Sequence, residues 1–217
     1  MTREKNRRHN NMMVAPDEGK IRRSARGKHG NSQGRQAGGF VKITGGEFRG
    51  RKIVTPGGAT HPMGERERLA LFNILGDDIR GRYVMDIFCG GGTLGIEALS
   101  RGARFVLFVD SSENAVETTN ENLRALGLYG LRGGAILSDI TRSARTATDR
   151  YELVIADPPY DKYSEKMIKD LPRLVSDGGV FILSHPGEAP ELEGLTLAKS
   201  RKYAGATISF YQKLMEE

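Results

Sequence analysis

Asp157-Pro158-Pro159-Tyr160 joins an acid, two prolines and an aromatic directly behind the apolar run Leu153-Val154-Ile155-Ala156. An aromatic amine has its lone pair delocalised into the ring and is a poor nucleophile. Hydrogen bonds from its two protons, one to the Asp157 carboxylate and one to a proline carbonyl, would localise that pair on nitrogen. The prolines fix the backbone and supply a carbonyl with no competing N–H nearby. Tyr160 would stack on the ring, and holding reactants in line is where most of the rate acceleration would arise. A base inside a helix cannot reach such a pocket, so it must be flipped out or already unpaired. Taken alone, the same four residues read as readily as an Asp-Pro turn closed by a packing tyrosine.

A second constellation lies upstream. Asp86-Ile87-Phe88-Cys89-Gly90-Gly91-Gly92-Thr93-Leu94-Gly95 sets three glycines in G-x-G-x-x-G spacing at a strand-to-helix junction, and Asp110 ends the next strand. Glycines let a backbone approach a nucleoside closely, and a strand-end acid accepts ribose hydroxyl protons. That pattern alone fits a dinucleotide dehydrogenase about as well as a methyltransferase. Asp86 tilts the choice: an acid just before the loop suits a cofactor carrying sulfonium and ammonium charges, and would repel a pyrophosphate. Cys89 reads as a small packed residue, since no activating histidine stands near it in sequence.

These residues need a sheet to bring them together. Tyr83–Phe88, Phe105–Asp110, Ala135–Ser138, Leu153–Ala156 and Val180–Ser184 read as strands. They alternate with helices over Leu94–Arg101, Glu113–Leu126 and Lys162–Leu174, the last interrupted by Pro172. Repeated β-α-β units imply an α/β fold, a parallel sheet with helices on both faces. Leu195–Tyr203 and Thr207–Lys213 suggest an antiparallel hairpin at the sheet edge. Upstream, residues 40–58 read as a small β-hairpin around Gly45-Gly46, and Leu69, Phe72, Leu75 and Ile79, widened by Leu71 and Ile74, predict an amphipathic helix over Glu65–Ile79. The chain thus divides into a basic tail over 1–39, a hairpin-and-helix extension over 40–80, and a main domain over 81–217.

The 217 residues have room for one full domain with an appendage. No apolar run approaches the roughly 18 residues of a membrane span, and the N-terminus shows no apolar signal region. A single cysteine excludes an internal disulfide and any Cys-based zinc cluster. These readings predict a cytoplasmic protein without membrane or metal. Net charge is +6, yet residues 1–39 hold ten Lys/Arg against three acids. So polar a segment cannot offset its ordering entropy and is expected to be disordered. It is either a solubilising tail or a cationic arm that raises the encounter rate with RNA.

The order of Asp86–Gly95, Asp110, Asp139 and Asp157–Tyr160 resembles class I methyltransferases that act on amino groups of adenine, cytosine or guanine. Four further stretches are similar to the RsmD family of bacterial 16S ribosomal RNA guanine-N2 methyltransferases. They are Ile43-Thr44-Gly45-Gly46-Glu47-Phe48-Arg49-Gly50-Arg51-Lys52-Ile53, then Pro62, Arg66 and Arg68 with Leu71-Phe72-Asn73-Ile74-Leu75, then Leu94-Gly95-Ile96-Glu97-Ala98-Leu99-Ser100-Arg101, then Ala204-Gly205 with Tyr211-Gln212. The likeness spans roughly residues 40–213. It implies a Rossmann-like sheet that binds S-adenosylmethionine without a metal. Asp86, Phe88, Gly90, Gly92, Leu94 and Ser111 would line the cofactor pocket with Asp157, while Asp110 would hold the ribose and Asp139 with Ile140 the adenine. Asp157, Pro158 and Tyr160 would be catalytic and hold the guanine. Arg49, Arg51, Lys52, Arg66 and Arg68 would contact RNA phosphates or order the entrance loop. The implied partner is 16S rRNA within an assembling small subunit, met by a monomer. Where the family reads Arg-Pro-Thr before the helix, this chain has His61-Pro62-Met63-Gly64.

A DNA amino-methyltransferase shares the Asp-Pro-Pro-Tyr tetrad, which serves adenine N6 or cytosine N4 equally well. Reading DNA base edges needs a target-recognition region, and the span between Tyr160 and Val180–Ser184 leaves no room for one. A noncatalytic RNA-binding module would not need Asp86, Asp110 and Asp157 together. A nicotinamide oxidoreductase leaves Asp157–Tyr160 without a role.

Overall fold

The computed structural model describes residues 37–57, 63–203 and 205–215. Strands β1 (Ala37–Lys42) and β2 (Lys52–Pro56) form a two-stranded antiparallel sheet. Helix α1 (Glu65–Leu75) follows and tightens into a 3-10 turn over Gly76–Ile79. The main sheet then alternates with helices: β3 (Tyr83–Ile87), α2 (Thr93–Ser100), β4 (Phe105–Asp110), α3 (Glu113–Ala125), β5 (Gly133–Leu137), α4 (Ile140–Ser143), β6 (Tyr151–Ala156), α5 (Glu165–Ile168), β7 (Val175–His185), β8 (Leu195–Lys202) and β9 (Thr207–Lys213). Strand order is β5-β4-β3-β6-β7-β9-β8. The first five strands run parallel, and β9 inserts antiparallel between β7 and β8. The chain winds outward from β3 to β5 and then crosses to β6, so the strand order reverses around β3. Ligand crevices form beyond the carboxyl ends of strands at such a reversal.

Alternation along the strands feeds two apolar layers. Val84, Phe108, Leu153 and Ile182 pack in one cluster with Leu71, Phe72, Ile96, Leu99 and Leu123 from α1 to α3. Met85, Val109, Val154, Phe181 and Leu183 pack in the other with Ile140, Ile168, Leu171 and Leu174. Each fully buried side chain of this kind contributes about 1.5–3 kcal/mol relative to exposure.

Several boundaries differ from expectation for local physical reasons. The helix expected over Lys162–Leu174 is the four-residue α5 plus a 3-10 turn at Leu171–Leu174, because Pro172 cannot donate to a continuing helix. Strand β7 begins at Val175 and not Val180. A register shift opposite Tyr151/Leu153 lets it run on through Gly178, whose φ of 69° only glycine takes readily. Strand β1 starts at Ala37, inside the segment assigned to the tail, whereas residues 1–36 lie outside the described residues. In α1 the inward stripe is offset by one position: Leu69 is 41% exposed, and Arg68 is 1% exposed.

The N-terminal extension is fastened to α2 and α3 by polar contacts. The Asn122 side chain imitates a neighbouring strand, accepting from Val54 N at 2.9 Å and donating to Val54 O at 2.8 Å and Gly91 O at 2.9 Å. Glu47 N–H donates to Ser100 O at 2.7 Å, and a Cβ on Gly46 would fall 1.8 Å from that same oxygen. Buried Glu97 accepts from Thr44 N at 2.8 Å, Thr44 Oγ1 at 2.7 Å and Arg101 Nε at 2.8 Å.

Candidate active site

At the carboxyl ends of β3, β4 and β6 lies a cavity of about 900 Å³. Asp86, Phe88, Gly90, Leu94, Asp110, Ser111, Asp157, Pro158 and Tyr160 line it, and Thr55, Pro56, Met63, Gly64 and Glu67 close it from the N-terminal extension. A smaller pocket of about 470 Å³, bordered by Arg82, Glu152 and Ser176, sits at the opposite end of the sheet, away from these groups.

The glycine loop is built to bring backbone up to the cavity. Phe88 adopts a φ of 60°, and Gly90 and Gly92 follow at 54° and 78°. Gly90 N–H donates to Asp110 Oδ2 at 2.9 Å, and Ser112 N–H donates to Asp110 Oδ1 at 2.9 Å. A carboxylate has about four acceptor positions, so Asp110 keeps capacity toward the cavity. Gly92 does not line the cavity. It precedes α2 with a Cβ position 2.9 Å from Thr119 Cγ2, so its role is to let α3 close on the loop. Asp86 is 1% exposed. Burial raises its pKa to about 8, with the charges of Asp157 and Asp110 adding to that shift and the Gly95 amide opposing it. Cys89 is buried and 3.8 Å from Thr119 Oγ1. Burial raises the thiol well above its usual range, as expected of a packing residue.

Asp157 sits half-buried just past β6. Burial raises its pKa to about 6, against a lowering hydrogen bond from Ser184. The Tyr160 hydroxyl lies 2.5 Å from Ser184 Oγ, and the residue is 37% exposed at the cavity. Ser184 therefore serves both flanks of the tetrad, and the sequence reading missed it. No local signal announces it: only the register of the folded sheet, in which Ala156 pairs with Leu183, puts Ser184 beside Asp157 on the neighbouring strand. Glu67, from α1, was likewise not anticipated in the cavity wall.

Asp139 and Ile140 are not among the lining residues. Asp139 caps α4, accepting from Thr141 N at 3.1 Å and Thr141 Oγ1 at 2.6 Å, and these bonds hold its carboxyl below the usual range. Ile140 is buried beneath the cap. Arg49, Arg51, Lys52 and Arg66 are exposed. Arg68 corrects the expectation of an RNA contact: its guanidinium donates to Met63 O at 3.1 Å and Lys42 O at 2.8 Å and lies 3.6 Å from Glu97. At 1% exposure it is closed off from solvent between α1 and the end of β1. His61 and Pro62 lie outside the described residues.

The cavity lining is acidic, with Glu67, Asp86, Asp110, Asp157 and Asp161 against Lys162 among the described residues. That balance opposes a pyrophosphate and disfavours the dehydrogenase reading. Among the described residues no group of three or more His, Cys, Asp or Glu is placed to hold a metal ion, and no helix is long and apolar enough to cross a membrane.

Sheet order, flanking helices and acids at the carboxyl ends of β3, β4 and β6 define the class I, S-adenosylmethionine-dependent methyltransferase fold. Within it, the chain belongs to the family described as conserved hypothetical protein 95, of RsmD type, whose pattern matches residues 41–212. It is 28% identical over 183 residues to a Bacillus subtilis protein named "Putative rRNA methyltransferase YlbH", spanning 80% of this chain and 99% of that one. The structure titled "Putative methyltransferase yhhF" from Escherichia coli superposes with a TM-score of 0.74 at 26% identity, over 82% of this chain and 100% of the other. Magnesium protoporphyrin IX methyltransferase from Synechocystis, solved with bound S-adenosylmethionine, shares the fold at a TM-score of 0.55 and 19% identity, over 72% of this chain and 86% of the other.

Proposed function

We propose that this protein methylates the exocyclic N2 amine of a guanine in 16S ribosomal RNA, using S-adenosylmethionine. The observation that carries the reading is one cavity holding Asp157, Pro158 and Tyr160 together with Asp86 and Asp110. The naming of the Bacillus subtilis relative supports an rRNA substrate, and the Synechocystis enzyme shows that this fold accommodates the cofactor.

The residues fit that cofactor. Asp86 is a buried acid with a raised pKa and a single amide donor, an arrangement that favours a cationic ligand. Asp110 has acceptor positions left for two ribose hydroxyls. Phe88, Gly90, Leu94 and Ser111 wall the nucleoside. Asp139 and Ile140 would border the adenine end, kept near by the 2.9 Å bond from Ser138 N to Asp110 O. When bound, S-adenosylmethionine supplies a methyl group activated by its positive sulfur.

Asp157 and the Pro158 carbonyl receive the two amine protons of the target base and orient its lone pair. Tyr160 stacks on the ring, its hydroxyl anchored by Ser184. As the amine becomes methylated, its surplus proton is taken by Asp157, whose pKa of about 6 suits a base near neutrality. Arg49, Arg51, Lys52 and Arg66 lie exposed around the extension and would screen phosphates. RNA chosen by shape and by unpaired bases needs no base-edge reading domain.

The test is methyl transfer from labelled S-adenosylmethionine to small ribosomal subunits, 16S RNA and duplex DNA, followed by nucleoside analysis. N2-methylguanosine from the ribosomal substrate is expected. Label confined to adenine or cytosine of DNA overturns the reading.

A further inference from the structure

The outward face of the β1–β2 sheet carries an aromatic ring that the fold does not use. Val41, Ile43 and Ile53 face inward and pack against the main core. By the period of two, Phe40, Lys42, Lys52 and Val54 share the opposite face. Cross-strand register places Phe40 opposite Val54 and Lys42 opposite Lys52. Phe40 is 68% exposed and Val54 40% exposed, and Lys52 Nζ stands over one face of the Phe40 ring, 6.0 Å from its centre, leaving the ring's other face for a partner. The face thus offers a flat π surface framed by ammonium groups, with no acid among its four residues.

Charge complementarity identifies the occupant. A nucleotide combines a π face with a phosphate, and aromatic stacking flanked by cations is how single strands are held without reading their sequence. A base inside a duplex has both faces covered and cannot use the ring. The location suits a neighbour of the reacting base. Val54 is followed directly by Thr55 and Pro56, which line the cavity. One to two residues of strand, roughly 3–7 Å, separate the platform from the rim, a span that an adjoining nucleotide bridges.

We infer that Phe40 stacks an unpaired base next to the target nucleotide, while Lys42 and Lys52 hold the adjoining phosphates. This rests on the proposed action on RNA and adds a preference for single-stranded sequence beside the modified base. It gives the extension a second role, since the segment that closes the cavity also grips the incoming strand.

The chain contains no tryptophan, so F40W places a single tryptophan at the platform, and its fluorescence can be excited selectively over that of tyrosine. The full chain and its F40W, F40A and F40L variants are titrated with a short single-stranded RNA and with a duplex of the same sequence. Methyl transfer to 16S RNA by the unaltered chain is measured in parallel. Single-stranded RNA should quench F40W fluorescence, and duplex should not. F40A and F40L should each weaken single-strand binding about tenfold, while F40W binds as the unaltered chain does. Unchanged affinity in F40A and F40L, equal quenching by duplex, or fluorescence insensitive to RNA overturns the platform. If methyl transfer to 16S RNA persists alongside such a result, the proposed function stands without it. If the unaltered chain neither binds nor methylates RNA, both fall.

Discussion

The amide of Gly95 donates to Asp86 Oδ2 at 2.8 Å, and a Cβ on Gly95 would sit 2.2 Å from the Phe108 ring. Helix α2 can approach β3 closely enough to reach the acid only because residue 95 has no side chain. The result is a carboxyl group deep in the sheet with one donor and no cation beside it among the described residues, ready for a positive ligand but costly to ionise without one.

That cost has a sign that can be measured. Asp86 has its folded-state pKa raised from 3.8 to about 8. Its contribution to stability is therefore fully present below about pH 4 and is lost as pH rises toward 8. D86N cannot titrate, and asparagine can still accept from Gly95. Without ligand, D86N should gain in thermal midpoint relative to the unaltered protein as pH rises from about 5.5 to about 8.5. Its affinity for S-adenosylmethionine should fall at least about tenfold. A constant difference in midpoint across that range would refute the assignment of a strained, buried acid.

Asp157 titrates lower, at about 6, because it is less enclosed and receives the Ser184 hydroxyl. In the proposed reaction the ionised form is the one that accepts amine protons. For methyl transfer, kcat/KM should rise about tenfold per pH unit below that value and level off above it. D157A should lose at least about 100-fold in kcat and keep cofactor affinity within a few-fold. Calorimetric titration with S-adenosylmethionine checks the second half. Loss of binding there would place the acid in the cofactor site instead.

Ser184 joins Asp157 to Tyr160, is buried and does not line the cavity, so it is a positioning residue. Its hydrogen bond favours the charged carboxylate. S184A should shift the pH midpoint of kcat/KM upward and lower kcat about tenfold, the scale of a hydrogen bond to a charged group. S184T, which keeps a hydroxyl, should recover part of both. An S184A profile with an unmoved midpoint would leave Ser184 as mere packing.

What was legible in the sequence was whatever is written locally. A parallel strand buried on both faces reads as an apolar run, so Phe105–Asp110 matches its expected span, and the antiparallel Thr207–Lys213, set off by the turn before it, does too. The glycine loop and the Asp157–Tyr160 tetrad are contiguous, and their chemistry can be argued before any fold is known. Ser184, Glu67 and Asn122 act across strands or between the extension and the domain, and nothing in their own neighbourhoods announces it. Arg68 is an intermediate case. It stands three, four and seven residues before Leu71, Phe72 and Leu75, on the buried stripe of α1. The expected stripe begins instead at Leu69, and the charge of Arg68 suggests phosphate; the position of Glu97 shows why an arginine is tolerated inward.

The two arginines of α1 should accordingly separate stability from binding. Arg68 is fully enclosed, and its removal leaves the Lys42 and Met63 carbonyls without their donor and Glu97 with one cation fewer. Truncating one partner of a buried ionic cluster costs about 3–5 kcal/mol, so R68A should lower the thermal midpoint sharply and loosen the extension. Arg66 is exposed. R66A should change stability by no more than about 0.5 kcal/mol. It should weaken RNA binding and reduce the slope of log affinity against log salt by about one. Thermal melts and salt-dependent RNA titrations of the two variants, run side by side, decide this. If R68A melts like the unaltered protein and flattens the salt slope, Arg68 faces RNA after all and the buried cluster with Glu97 is not what fastens α1 to the domain.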